Sequence, residues 1–351
     1  MSHIAAIQQH LGELDALLLT DPITIRYASG FAITDGAAVI AKNDAWLVTD
    51  SRYIEAAEAA VTDMRVLCVS RDKGLTAHLQ ELLAPFSAVG AEEDRMSRKS
   101  WDDYERDLGA ALRPAAHIVG ELRASKDAAE IELFTAAQRI AERALDDILG
   151  LLRPGLTESE VSAELTYRML KYGSEKNAFD PIVVTGSKTS LPHGVPGDKV
   201  IRKGDFVTMD FGAMFGGYCS DMTRTVAVGH ATEEMKRVYA IVLEAQLAGI
   251  DAARAGVPGR DVDGAARTVI EKAGYGPYFG HGFGHSLGLE IHEAPNANPA
   301  NAAPLPLGAV ISAEPGIYLP GKFGVRIEDE MWLREDGAYV ITKAPKELII
   351  L

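Results

Sequence analysis

The chain has only two cysteines, Cys68 and Cys219, far apart in 351 residues. Two such residues make neither a disulfide framework nor a Cys-rich structural zinc site, and a reducing cytoplasm is the expected location. A run of about 20 apolar residues that would cross a membrane is also missing. The opening MSHIAAIQQHLGEL lacks the basic and apolar regions of a secretory signal. Basic residues are scarce: 35 Lys and Arg face 50 Asp and Glu, a formal charge of −15. That balance argues against nucleic acid, whose phosphates require Lys/Arg patches. No membrane partner and no nucleic acid partner are therefore expected. What is present is a chain with 47% hydrophobic residues, enough for a large core, and long enough for two domains.

The first 124 residues alternate short apolar strands with helical stretches, which predicts a small α/β domain. Helices are expected at 4–14, 52–60, 76–83 and 100–112. Strands are expected at Ala16–Leu19, Ala37–Ala41, Ala45–Thr49, Met64–Val69 and around Val89, with Asp21-Pro22 as a turn. The composition shifts near Ile118–Ala124, which sets the domains at 1–124 and 125–351. Ser125 reads as the N-cap of a long helix whose apolar face runs from Ile131 to Leu152. Pro154-Gly155 ends it, and Thr157 with Glu160 forms a capping box for a second helix stopping at Gly173. The same pattern of helix, Pro-Gly, helix, Gly recurs from Thr232 to Gly274. Each copy leads into apolar, Gly-rich extended sequence, at 179–194 and 278–292. Two related halves, each a helix pair with a sheet, are expected to face each other across a cleft.

Between the copies lies DFVTMDFGAMFGGYCSDMTRTV, residues 205–226. It reads as a hairpin of strands Phe206–Gly212 and Tyr218–Val226, turning at Phe215-Gly216-Gly217. A turn centred between Phe215 and Gly216 sets Asp210 opposite Asp221, with Cβ atoms about 5 Å apart on one face. Two carboxylates that close, inside an apolar sheet, call for a positive partner. Further on, His281, His285 and His292 fall within HGFGHSLGLEIHE, threaded by Gly282, Gly284 and Gly288. These glycines oppose a helix and admit close backbone approach. Glu314 ends a strand and is turned by Pro315-Gly316. Arg326, Glu328 and Glu330 alternate with Val325, Ile327 and Asp329, which taken alone describes an edge strand with a charged outer face.

Charge decides between these readings. If Asp210, Asp221, Glu314 and Glu328 converge, four negative charges meet, and burying them without counter-charge is prohibitive. Two divalent cations neutralise them, with His285 as a neutral fifth ligand. Oxygen-rich ligation with one imidazole suits Mn²⁺ first, with Co²⁺, Zn²⁺ or Fe²⁺ compatible.

This set resembles the pita-bread metallopeptidases, the family of methionine aminopeptidase, aminopeptidase P and prolidase. The likeness is carried by Pro192-His193-Gly194, MDFG at 209–212, SDMTRT at 220–225, HGFGHSLGLEIHE at 281–293, EPGIY at 314–318 and VRIEDE at 325–330. All five ligand positions are present in order. IRYASGF at 25–31 and TDSRY at 49–53 resemble the creatinase-type N-domain of aminopeptidase P and prolidase. Ser286 departs from the Gly of many relatives and Leu191 from their Ala. The first is expected to matter little; the second could trim the pocket.

The resemblance implies an α+β fold, a duplicated pita-bread catalytic domain behind a smaller α/β domain. It implies two metals held by Asp210, Asp221, His285, Glu314 and Glu328, with a bridging hydroxide as nucleophile. Glu314 would also shuttle a proton, His193 would steady the oxyanion or substrate amide, and His292 would hydrogen-bond the substrate. His281, Tyr318 and Arg326 resemble the lining of the proline side. An Xaa-Pro bond is a tertiary amide without N–H, which suits a shallow apolar slot there. The expected activity is Xaa-Pro aminopeptidase, acting on small peptides with proline second, as a homodimer. The alternative is an Xaa-Pro dipeptidase restricted to dipeptides. A non-catalytic pita-bread binding module is the competitor from another class, opposed by the complete ligand set.

Overall fold

A computed structural model describes residues 2–351. The chain divides into two compact units, one ending at Arg123 and one running from Ala124 to Leu351.

The first unit is a six-stranded sheet: β1 (Ala16–Leu19), β2 (Gly36–Ala41), β3 (Ala45–Thr49), β4 (Arg65–Cys68), β5 (Val89–Ala91) and β6 (Leu112–Pro114), in the order β4-β3-β2-β1-β5-β6. The β1–β3 segment is antiparallel and the flanking pairs are parallel. Its helices are α1 (His3–His10), α2 (Pro22–Ser29), α3 (Ile54–Ala60), α4 (Leu75–Leu83), α5 (Arg98–Leu108) and, at the boundary, α6 (Ala116–Ala124). Asp21-Pro22 is not a turn. Asp21 caps α2 by accepting from the Ile23 and Thr24 amides, and Pro22 takes the first helical position. The helix expected to reach residue 112 ends at Leu108, because Gly109 adopts φ +66° and breaks it, leaving Leu112 free to pair in β6.

The second unit holds the duplication. α7 (Ala128–Leu151) and α8 (Glu158–Lys171) cover a three-stranded sheet. Asp127, not Ser125, caps α7: its carboxylate takes the Ala129 and Glu130 amides while Glu130 bonds back to Asp127. The Ser125 hydroxyl is engaged with the Leu307 carbonyl instead. The sheet comprises β7 (Ile182–Thr185), β8 (Phe206–Phe211) and β11 (Met222–Ala227), with a ribbon of β9 (Met214–Phe215) and β10 (Tyr218–Cys219) at its tip. α9 (Glu233–Ala252) and α10 (Gly259–Lys272) form the second helix pair. They pack against a five-stranded sheet of β12 (Gly284–Ser286), β13 (Glu293–Ala297), β14 (Val310–Ala313), β17 (Asp329–Leu333) and β18 (Ala338–Val340), ordered β13-β12-β14-β17-β18. A ribbon of β15 (Gly316–Leu319) and β16 (Phe323–Arg326) accompanies it.

Each half has its own core. Leu145, Ile148, Val161 and Leu165 meet Val183, Met209, Phe211 and Met222 in the first. Val238, Val242, Val262 and Ala266 meet Ile311, Ala313, Met331 and Leu333 in the second. At roughly 1.5–3 kcal/mol for each fully buried large side chain, these layers hold the two sheets rigid enough to aim charged groups.

Two register details differ from expectation. The hairpin turn is centred on Gly216-Gly217, both at positive φ (+59° and +88°). That suits a two-residue hairpin loop, and it favours the glycine pair over Phe215. The ladder accordingly pairs Asp210 with Thr223 rather than Asp221. A shift of two residues preserves side-chain parity, so Asp221 and Thr223 still project to the side of Asp210. The 325–333 segment is not one edge strand either. It breaks at Ile327-Glu328, and β17 lies between β14 and β18 in the sheet, with Glu328, Asp329 and Glu330 buried. Among the described residues no helix is long and apolar enough to cross a membrane.

Candidate active site

A cavity of about 340 Å³ opens in the second unit, lined from both halves. Pro192, His193, Asp210 and Asp221 come from the first; His281, His285, His292, Glu314, Arg326 and Glu328 come from the second. Of the residues expected from sequence, only Tyr318 does not line it directly; its ring lies behind His281 and Arg326.

The strands deliver the carboxylates in pairs. Asp210 sits on β8 and Asp221 just before β11. Thr223, facing Asp210 across the ladder, donates its hydroxyl to Glu328 Oε2 at 2.6 Å. The Glu328 amide in turn bonds the Thr223 carbonyl at 3.1 Å. Glu314 follows β14, its amide held by the Phe283 carbonyl at 2.8 Å. Ser312 Oγ lies 3.2 Å from Glu314 Oε1 and also accepts the His285 amide at 3.0 Å. One serine thus fixes the separation of His285 and Glu314.

His285 Nδ1 lies 3.2 Å from the Ser286 carbonyl. A carbonyl only accepts, so Nδ1 carries the proton and Nε2 presents a lone pair. That lone pair faces Asp221 Oδ2 at 3.6 Å and Glu314 Oε1 at 3.4 Å. Asp221, His285 and Glu328 bring ligand atoms within 4.8 Å of one another. Asp210 Oδ1 and Asp221 Oδ1 are buried and have no hydrogen-bond partner. These two oxygens and the His285 Nε2 lone pair are acceptors that no donor of the chain fills, which is what a cation site requires.

The electrostatics agree. Burial, then the neighbouring Glu328, Asp210 and Glu314 charges, pushes the Asp221 carboxyl well above its ordinary range. Burial followed by Glu314 and Asp210 does the same to Glu328. Glu314 is also raised, chiefly by burial. Burial lowers His281 and His285, and it lowers the more open His292 with help from His285 and His193. Neutral imidazoles beside carboxylates that resist ionisation describe a site short of positive charge.

Beside it runs a directed hydrogen-bond chain. His281 Nδ1 lies 2.9 Å from the Gly282 carbonyl, so this nitrogen too carries the proton. His281 Nε2 therefore accepts the Tyr318 hydroxyl at 2.9 Å. Arg326 donates to the Tyr318 oxygen at 3.0 Å, to Thr223 Oγ1 at 3.0 Å, to the Pro192 carbonyl at 3.3 Å and to Asp210 Oδ2 at 2.5 Å. Burial raises the Tyr318 phenol to about 12. Arg326 thus ties His281, through Tyr318, to the Asp210 carboxylate. The His292 ring packs edge-on to His285 at 4.4 Å.

Of the two departures, Ser286 is buried and spends its hydroxyl on the Val310 carbonyl, while Leu191 is half exposed. Sequence reasoning missed Thr223, although it lies in the SDMTRT stretch at the alternate position to Asp221. It also missed Phe179, Ile182, Asn296 and Asn298, which complete the cavity wall and carry no signal of their own.

Comparison with known proteins agrees with this geometry. Residues 132–335 match the model of metallopeptidase family M24, and residues 4–125 match the creatinase/prolidase N-terminal domain. An Xaa-Pro dipeptidase of Pyrococcus furiosus is 35% identical over 338 residues, covering 96% of this chain and 95% of that protein. The structure of an Xaa-Pro dipeptidase from Bacillus anthracis superposes with a TM-score of 0.95 at 41% identity, covering 99% of both chains. That of an X-Pro aminopeptidase from Thermotoga maritima gives 0.94 at 38% identity, covering 98% of this chain and 99% of the other. The chain belongs to metallopeptidase family M24, a peptide-bond hydrolase whose pita-bread domain is preceded in sequence by a creatinase/prolidase N-terminal domain.

Proposed function

We propose that the chain is an Xaa-Pro dipeptidase that takes small peptides with proline in the second position. The observation carrying this is a buried set of four carboxylates with a single buried cation, Arg326, among them, in a chain resembling Xaa-Pro dipeptidases over nearly its whole length. Sequence alone put the aminopeptidase first. The named relatives reverse that order, since dipeptidases stand at both 35% and 41% identity. The aminopeptidase of longer peptides stays as the second reading, favoured by the Thermotoga maritima neighbour.

In this reading Asp210, Asp221, His285, Glu314 and Glu328 hold two divalent ions, with Mn²⁺ the first choice and Co²⁺ or Zn²⁺ next. The unpartnered Asp210 Oδ1 and Asp221 Oδ1 and the His285 Nε2 lone pair fit that group. When bound, the ions supply an activated water and polarise the attacked carbonyl. The remaining work belongs to side chains. Glu314, a carboxylate lining the cavity beside His285, takes a proton and returns it to the departing proline nitrogen. That nitrogen carries no hydrogen in the tertiary amide and leaves as an amine only when protonated. His193 steadies the substrate carbonyl oxygen, and His292 bonds the substrate beside the scissile bond. His281 and Arg326, held from behind by Tyr318, form the wall against which the proline ring lies. A homodimer in the cytoplasm belongs to the same reading.

The test is incubation of Ala-Pro, Ala-Pro-Ala and Met-Ala-Ala with the protein and Mn²⁺, with and without chelator, products read by mass. Release of proline from Ala-Pro alone, abolished by chelator, is the expected result. Cleavage of Ala-Pro-Ala after its first residue selects the aminopeptidase. Cleavage of Met-Ala-Ala alone overturns the proline reading, and silence on all three brings back the binding module.

A further inference from the structure

Arg267 and Asp263 lie one turn apart on α10, outside every residue set assigned above. Their ion pair is bidentate: Nε to Oδ2 at 2.7 Å and Nη2 to Oδ1 at 2.9 Å. Asp263 is 1% exposed and also takes the Phe283 amide at 2.9 Å. Arg267 then reaches on, donating Nη1 to the Phe279 carbonyl at 3.0 Å and Nη2 to the His281 carbonyl at 2.7 Å. The guanidinium also stacks over the Phe279 ring at 4.2 Å, and that ring meets the His281 imidazole edge-on at 5.1 Å.

Residues 279, 281 and 283 are therefore all fastened to one turn of helix. The fastening matters because the segment is otherwise anchored only at its ends, by the buried Phe279 and Phe283 rings and the Phe283 carbonyl on the Glu314 amide, with no other backbone hold at His281 itself among the described residues. It lies between a short 3₁₀ turn (Gly276–Tyr278) and β12, without strand pairing. His281 is flanked by Gly280 and Gly282, which bring the widest backbone freedom of any residue. An imidazole on a Gly-His-Gly segment takes a defined place only if its carbonyls and amides are held from outside. The helix itself does not need the pair: Val262, Ala266 and Ile270 anchor it in the core.

We propose that the Asp263–Arg267 pair is a positioning device for His281, setting its ring against Tyr318 and so fixing the proline side of the pocket. Arg267 touches no substrate; it acts through the backbone it holds. The inference rests on the reading of His281 as a substrate-contacting residue. Misplacement of a contacting group by about 1 Å can cost up to a hundredfold, so a rise in KM is the signature sought.

The experiment compares Arg267→Met and Arg267→Lys with the parent protein in two readouts. The first is steady-state hydrolysis of Ala-Pro with Mn²⁺, alongside bound-metal content. The second is the ¹⁵N imidazole spectrum of Zn²⁺-loaded protein, with the His281 signal assigned through His281→Gln. The expected result for Arg267→Met is a roughly tenfold higher KM with kcat changed less than threefold and metal content unchanged. The His281 signal should move or broaden while His285 and His292 stay in place, and Arg267→Lys should recover part of both effects. An unmoved His281 signal overturns the proposal, as does a shift of all three histidines together with lost metal and lowered Tm. If the parent protein cleaves no Ala-Pro, the proposed function fails. The imidazole spectra then decide the positioning role alone, by whether His281 moves by itself.

Discussion

Glu328 and Asp329 are neighbours in the chain, both buried, and they meet opposite surroundings. Asp329 lies 2.8 Å from Arg224 Nη2 and 2.5 Å from Lys346 Nζ. Arg224, itself fully buried, also binds the carbonyls of Glu328, Ala344 and Pro345, so that cluster is a closed ionic cement holding the C-terminal segment. Glu328 has a threonine hydroxyl and, nearby, an arginine already committed to Asp210. Its other neighbours include Asp221 and Glu314, and its proton affinity rises accordingly. The same residue chemistry at the same depth thus serves two ends. Where the chain supplies its own cations the acid is structural; where it withholds them, the proposed function has the acid bind an ion from outside.

The sharpest way to break this comparison is to neutralise one member of each cluster. Glu328→Gln should lower Ala-Pro turnover by on the order of a thousandfold, since several kcal/mol of charge stabilisation go with the ion. It should also leave the metal-free protein as stable as before or more so in urea, because a repelling charge is gone. Asp329→Asn should do the reverse to stability, costing about 3–5 kcal/mol by leaving Arg224 and Lys346 buried without their partner. Equal destabilisation by both substitutions would erase the distinction. Removing metal tests the same point without mutation. Chelation should cost roughly 3 kcal/mol of unfolding free energy relative to Mn²⁺ at a hundred times its Kd. In Glu328→Gln that increment should shrink.

A third buried acid refines the comparison. Glu92, in the first unit, makes no close ion pair among the described residues; Thr24 donates to it at 2.8 Å, and Asp21, Asp94 and Arg95 lie near it. Burial raises its carboxyl to about 7. The folded state therefore binds the extra proton between the ordinary Glu range and about pH 7. Stability contributed by this group falls as pH rises through that window and is lowest above it, by at most about 3 kcal/mol. Glu92→Gln should flatten the pH dependence of Tm between pH 5 and 8; an unchanged slope would show that this acid is already ionised. The three acids thus differ in their partners: Asp329 has two cations, Glu328 has other acids, and Glu92 has a hydroxyl and a raised proton affinity.

Much of this was legible in the sequence where local chemistry and periodicity agreed. The duplicated helix pairs could be traced from Pro-Gly and Gly stops, and the Thr157–Glu160 capping box holds as read. The five candidate ligands come together in one cavity. What escaped was decided by competition between equally good local signals. Asp-Pro opens a helix as readily as it makes a turn, and Asp127 outcompeted Ser125 because Glu130 could complete its cap. The hairpin register went to the Gly216-Gly217 pair because only glycine takes both positive φ values cheaply. Nothing in the alternation of 325–333 showed that this segment was interior. Its burial depends on Arg224 and Lys346, which pair with Asp329 from 105 residues before it and 17 after it, respectively. Charge at depth is a tertiary property, visible only once partners from distant strands are in place.

The central claim is that the chain leaves Asp221, Glu314 and Glu328 without a paired Lys or Arg, and that this set together with Asp210 and His285 holds divalent ions. Metal content of Mn²⁺-equilibrated, gel-filtered protein tests it most directly, with Glu328→Gln and Asp329→Asn measured beside the parent. The account predicts about two ions per parent chain, a clear loss in Glu328→Gln, and retention in folded Asp329→Asn. A parent protein that binds no Mn²⁺, Co²⁺ or Zn²⁺, or a Glu328→Gln variant that binds as much as the parent, would contradict it.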